Sequence, residues 1–503
     1  MSATRAALQP HNPRVQAKAS LPYGWPLFVA FGLFPLWYLL GMGALIWFFL
    51  AIPMTFSLVA RSRVRVPRGF GFFLLFFIWA MATIVQLQGS GMDRIFGFMY
   101  RAGLYYSAGV WCLYLFNAPK RLLPTRTILK AVTWMWVVVV AGGWFGILSP
   151  GLEFATVTER LFPASLLNND LVYTLVHPQV SDVQTFLGYE VPRPQAPFDF
   201  SNNWGANFAL MLPFVCAFWG QMRSLTRRNT LRLVAVASLV PVVFSLNRTL
   251  WLALIVTLVY GGARFAIRGR KGNFQALCAV AIVGYLLFNF GPTGKLISDR
   301  AETNHSGAGR ALLYSEATES VKKSPLLGYG APRASQRNPN LPPVGTQGHF
   351  WLVFFSHGFP GAILFVSFIV TSMWRTRRVQ TAAGLWCHIS LVLAIIMMPF
   401  YGLFHMQIHI VAIAFALASR EKVDPDVPGE PEVHPEPKAG PYVLSTVRTD
   451  RPAALTAHGN GHGHLGAHGH GDAVAGNGNG NGHAPDSGGT PWGRAGDAPE
   501  GWS

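Results

Sequence analysis

Arg248, Arg310 and His349 are the residues whose types and settings could do chemistry. Arg248 lies in Phe244-Ser245-Leu246-Asn247-Arg248-Thr249-Leu250-Trp251, at the tip of a tight turn between two apolar runs. An ionised side chain at that depth in a bilayer costs about 3 kcal/mol, so a functional reason is the default reading. The competing reading is an arginine that snorkels to the interface; Asn247 beside it favours a polar pocket. Arg310 ends the glycine-rich stretch Ser306-Gly307-Ala308-Gly309-Arg310, near the expected start of a helix over about 308–323. A helix N-terminus attracts anions, and a guanidinium adds a fork matched to phosphate. The plain alternative is an incidental arginine on a surface helix. His349 follows Gly345-Thr346-Gln347-Gly348, where the chain enters another apolar run. A neutral imidazole there can act as a general base on a hydroxyl, or simply sit at an interface. His357, before Gly358-Phe359-Pro360-Gly361, reads as a helix-packing residue.

The elements that must position these groups are membrane spans. Of 503 residues, 51% are hydrophobic and 12% charged, against roughly 25% charged in soluble domains. The expected fold is an all-α polytopic membrane protein with about 12 transmembrane helices and a partly helical large outer loop before the tenth span. The spans run over about 25–40, 43–60, 70–88, 97–116, 131–149, 204–222, 233–246, 249–264, 273–291, 350–373, 382–400 and 403–419. With that count, the basic clusters at 61–68, 120–130, 223–232, 264–271, 375–378 and 420–422 all fall on one side. The positive-inside rule makes that side cytoplasmic, together with the N-terminal segment 1–23 and a tail 423–503. The transmembrane domain is then 24–422, with outer loops over 150–203 and 292–349. Loops that long are usually functional or disordered, and Phe154, Phe162, Tyr173, Phe186 and Tyr189 give the first an ordered composition. In the second, Leu313, Ala317 and Val321 make an i, i+4, i+8 stripe, and Pro325 ends the helix.

The tail is rich in Pro, Gly, Asn and His, including His458, His462, His464, His468, His470 and His483. It has too few large apolar groups to order itself and reads as disordered. Weak metal binding by its histidines is the sharper alternative. The net charge of +18 is accounted for by topology and contact with anionic membrane lipids; no basic stripe on a soluble domain points to nucleic acid. Cys112, Cys216, Cys278 and Cys387 each fall in an apolar run and read as small buried hydrophobes. There is no Walker loop, no Cys/His metal box and no Gly-x-Ser-x-Gly elbow. No metal ligands and no cofactor are assigned.

Three stretches in this order resemble the O-antigen ligase and polymerase superfamily. They are the segment Phe244 to Trp251; Gly307-Ala308-Gly309-Arg310 followed by Ser324-Pro325-Leu326-Leu327-Gly328-Tyr329-Gly330; and His349-Phe350-Trp351-Leu352 followed by His357-Gly358-Phe359-Pro360-Gly361. The resemblance is strongest over about 200–370, extends by topology over about 24–420, and excludes the tail. It implies a metal-independent glycosyltransferase of the cytoplasmic (inner) membrane with its active site facing outward. Such an enzyme takes a polyprenyl diphosphate-linked glycan to an acceptor hydroxyl on a glycan or lipid, within polysaccharide assembly and beside its other proteins. It assigns Arg248 and Arg310 to the diphosphate and His349 to the acceptor hydroxyl as base. This suits a diphosphate leaving group, whose developing charge needs stabilising. The segment Phe198 to Gly205 also looks family-like, with Asn202 and Asn203, and Asn247 further on, as sugar or acceptor contacts. Polymerases of the family carry arginine-rich motifs in both outer loops; the first loop here has only Arg160 and Arg193, so ligase and polymerase both stay open. A transporter or flippase is the second reading, but the halves show no repeat and the spans are nearly free of acids. A scaffold for envelope assembly is the third.

Overall fold

The computed structural model describes residues 22–185, 189–290, 305–404 and 406–422. The segment before Pro22 and the tail beyond Lys422 lie outside the described residues, and with them the expectation of a disordered tail.

The main helices are α1 (Ile46–Val59), α2 (Phe70–Ala82), α3 (Met92–Asn117), α4 (Thr125–Leu148), α5 (Ser201–Gly220), α6 (Leu225–Ala237) with its short continuation α7 (Leu239–Phe244), α8 (Arg248–Ile267), α9 (Lys271–Phe290), α10 (His305–Lys323), α11 (His349–Thr376), α12 (Ala382–Met397) and α13 (Met406–Glu421). Shorter helical pieces between Trp25 and Leu40 precede them. The segments Phe70–Leu87, Thr125–Leu148, Arg248–Ile267 and His349–Thr376 are long and apolar enough to cross a membrane; α1 and α12 are apolar but shorter. Helix covers most of the described part of each expected span, though 25–40 and 233–246 are broken into shorter pieces, and the count of twelve remains an expectation. The outward faces are themselves apolar: Phe56 is 71% and Val59 76% exposed. A helix apolar all round belongs in lipid or a large core.

Without a hydrophobic drive between helices in lipid, close packing and internal hydrogen bonds must hold the bundle. The centre is α13, buried almost throughout from Met406 to Ala418. It packs between α3 and α12, and Trp47 stacks on His409 at 4.3 Å. Against α4 and α12 lies α5, where Trp204 Nε1 donates to Val139 O at 2.9 Å.

The first long connection departs from the all-α expectation. It holds the short helices Val157–Leu161, Ala164–Leu167 and Asp170–Val176 and an antiparallel hairpin, β1 (Ser181–Gln184) with β2 (Val191–Pro194). Pro192 and Pro194 hide β2 in the sequence, since proline is disfavoured in strands except at edges. What seats the hairpin is α4: a Cβ on Gly146 would lie 2.5 Å from Val180 O, and one on Gly142 would clash with Ala196 O.

The second connection is fixed to α11. The stripe Leu313, Ala317 and Val321 is buried (2%, 1% and 0% exposed), against side chains that include Phe354 and Phe355. α11 breaks at Gly358, whose φ is 67°. Pro360 has no N–H for the Ser356 carbonyl, which instead accepts from Gly330 N at 2.8 Å. Phe355 O accepts from Tyr329 N, and Phe359 N donates to Pro325 O. Thus the 324–330 stretch fills the backbone break that Gly358 and Pro360 create.

Candidate functional site

A cavity of about 660 Å³ lies where the two long connections meet α3, α5 and the turn between α12 and α13. Its basic groups are Arg101 on α3, Arg193 on β2 and Arg310 on α10; its acids are Asp182 and Asp199. Amides and hydroxyls complete the polar wall, among them Gln195, Asn202, Asn203, Thr346 and Gln347, with Phe200, Phe400 and Phe404 as apolar faces. A pocket of this size with a few convergent polar groups suits a ligand of several rings.

Each basic group has a structural reason for its place. The hairpin on the α4 glycines carries Arg193, whose Nε donates to Ser245 O at 3.0 Å and whose Nη1 pairs with Asp182 at 3.3 Å. Nη2 approaches Asn202 Oδ1 at 3.4 Å. Burial pushes the Arg193 guanidinium below its usual value, Asp182 opposes that, and Arg310 adds repulsion. Arg310 precedes the buried stripe of α10 by one turn, so anchoring Leu313 brings it to the cavity. Its helix is already formed at His305, so Arg310 stands inside the helix and its own N–H is not a free terminal donor. Beside the two arginines, burial pushes the Tyr401 phenol up to about 12, and Thr249, Arg193 and Arg310 draw it back. It is a neutral hydrogen-bonding group at ordinary pH.

Of the residues expected from sequence, Arg310, Asn202 and Asn203 line the cavity together. Asn203 is buried, its Oδ1 accepting from Gln407 Nε2 at 3.1 Å. Arg248 is exposed at the first position of α8 and is not among the lining residues, though Thr249 next to it bonds Tyr401, which is. Asn247 is not among them either: its Oδ1 caps α8 by accepting from Leu250 N at 2.9 Å. Leu246 before it takes φ 49°, an uncommon conformation for a bulky residue.

His349 is fully buried (0% exposed), not open at an interface. Gly348, with φ 149°, sits so close to Pro399 O that a side chain there would clash. His349 N donates to Tyr401 O at 2.8 Å, its Nδ1 accepts from Leu403 N at 3.1 Å, and its Nε2 faces the Tyr105 hydroxyl at 3.4 Å. Accepting at Nδ1 sets the neutral tautomer with the proton on Nε2. His357 packs as expected: Nδ1 meets Thr83 Oγ1 at 2.8 Å.

Sequence reasoning passed over Arg101 and gave Arg193 no role at the site. Arg101 was detectable, as an ionised side chain inside the span expected over 97–116. Arg193 was not, because its place depends on the hairpin. Among the described residues, no group of three or more His, Cys, Asp or Glu is placed to hold a metal ion.

Fold and site together define an integral membrane protein with an arginine-walled polar cavity. Residues 233–366 match the family model described as O-Antigen ligase, which supports the O-antigen ligase and polymerase superfamily and, with it, a glycan-transfer role. The matched segment includes Arg248, Arg310 and His349 but stops short of Asn202, Asn203 and the hairpin. No curated protein matches the chain.

Proposed function

We propose that the protein moves a glycan from a polyprenyl diphosphate carrier onto an acceptor hydroxyl at the outer face of the cytoplasmic membrane, in cell-surface polysaccharide biosynthesis. The observation that carries this reading is the cavity in which Arg310, Arg193 and the neutral Tyr401 converge beside the amides Asn202 and Asn203. The acceptor oxygen attacks the anomeric carbon, the bond from that carbon to the diphosphate oxygen breaks, and the diphosphate leaves on the carrier. Arg310 inside the cavity and Arg248 at the exposed start of α8 neutralise the growing charge. Asn202 and Asn203 hold sugar hydroxyls. His349 takes the acceptor proton; because Nδ1 is held by Leu403 N–H, that step requires the turn over 399–404 to release the ring. Arginines do the work a metal would do elsewhere.

The purified full chain, given lipid-linked glycan and acceptor in EDTA, is expected to form product. Arg310→Ala should lower transfer by about 10- to 100-fold, the worth of a charged hydrogen-bonding partner. Full transfer by that variant, or a loss in EDTA that divalent cation restores, overturns the reading. In a deletion strain, single units without long chains mean polymerase; long chains left on the lipid mean ligase.

A further inference from the structure

The cavity holds a guanidinium that the mechanism above does not use. Arg101 lies on α3, one turn after Gly97 and one turn before Tyr105, whose hydroxyl faces His349 Nε2. Side chains on a helix lean towards its N-terminus, and Arg101 does so: a Cβ on Gly97 would lie 2.9 Å from its Nη1. That Nη1 is shut off from solvent and has no hydrogen-bond partner among the described residues. Among the described residues, the pairs in and around the cavity wall join Arg193 to Asp182, and His177 to Glu159 and Glu153; Arg101 is in none of them. A fixed positive charge with an unsatisfied donor, on the wall of a cavity, is compensated when an anion enters.

We propose that Arg101 is an anion-binding residue on the α3 wall of the cavity, holding a phosphate or carboxylate group of the bound substrate. The substrate class rests on the glycan-transfer reading, in which the carrier brings phosphates and an acidic sugar brings a carboxylate. Bare Gly97 is part of the device, since it leaves room for the guanidinium to fold back over α3.

The test is binding to the full chain purified in detergent, with geranyl diphosphate, glucuronate and neutral glucose as probes. Arg101→Gln should weaken one of the two anions by at least about tenfold, Arg101→Lys should restore part of it, and glucose should be indifferent. Gly97→Ala, which keeps the charge but displaces the guanidinium, should weaken the same anion. Loss for geranyl diphosphate assigns the carrier phosphates; loss for glucuronate alone assigns an acidic sugar. If folded Arg101→Gln binds both anions like the wild type, the proposal is overturned. If that variant does not fold, unchanged binding of both anions by folded Arg101→Met, which removes the charge and keeps much of the bulk, overturns it instead. Either result leaves the glycan-transfer reading to stand or fall on Arg310→Ala.

Discussion

A diphosphate leaving group asks for guanidinium groups within reach, and a general base asks for a free lone pair. Arg310 and Arg193 meet the first demand directly at the cavity. His349 meets the second only after a rearrangement, because its Nδ1 lone pair already accepts from Leu403 N–H. Two substitutions separate the roles of this ring. His349→Ala removes both the proposed base and the observed acceptor, while His349→Asn keeps an acceptor for Leu403 N–H. Both are expected to lose transfer by about 10²- to 10⁴-fold, the usual worth of a general base. Near-wild-type rates for the Asn variant in a transfer assay would reduce His349 to a residue that positions the 399–404 turn. At this scale the sequence was informative about type and poor about orientation. Arg248 is a charge between apolar runs, Arg310 ends a glycine-rich helix start and His349 stands where the chain enters an apolar run, so all three could be singled out. That Arg248 is exposed, that Asn247 is spent on the α8 cap and that His349 is sealed follow from contacts with distant residues.

Elements carry the site by docking, and the sharpest case is the β1–β2 hairpin on α4. Gly142 and Gly146 let its backbone approach the helix closely, and Arg193 rides on it into the cavity. Gly146→Val is therefore expected to destabilise the protein by about 1–3 kcal/mol through overpacking and to raise the KM for the lipid-linked donor, since Arg193 moves with the hairpin. Thermal unfolding in detergent and steady-state kinetics read the two effects; an unchanged donor KM would detach Arg193 from substrate binding. The α10 helix was legible beforehand, because the spacing of Leu313, Ala317 and Val321 is a local pattern that matches their burial. The hairpin was not, since its prolines argue against a strand locally and only α4 rewards it. The two glycine-proline stretches, 324–330 and 357–361, read as motifs without a mechanism; their interlocking backbone bonds show that they secure α10 to α11.

At the scale of the molecule, the apolar runs and the basic clusters agree on a membrane protein, and the match over 233–366 supports a glycan-transfer role for it. The tail beyond Lys422, whose composition reads as disordered, is given no part in the proposed transfer. A chain ending at Lys422 is therefore expected to keep the full-length transfer rate in membranes, and a lost rate with normal protein levels would give the His-rich segment a part in turnover. The sequence by itself determined the solvent of this protein, because a shortage of charge and long apolar runs can be satisfied only in lipid. It also determined which few residues lack a topological excuse. Only the tertiary structure decided which of them share a cavity. Arg101, Arg193 and Arg310 come from α3, a hairpin and a connecting helix that are far apart in the chain, and local periodicity holds no information about where such elements meet.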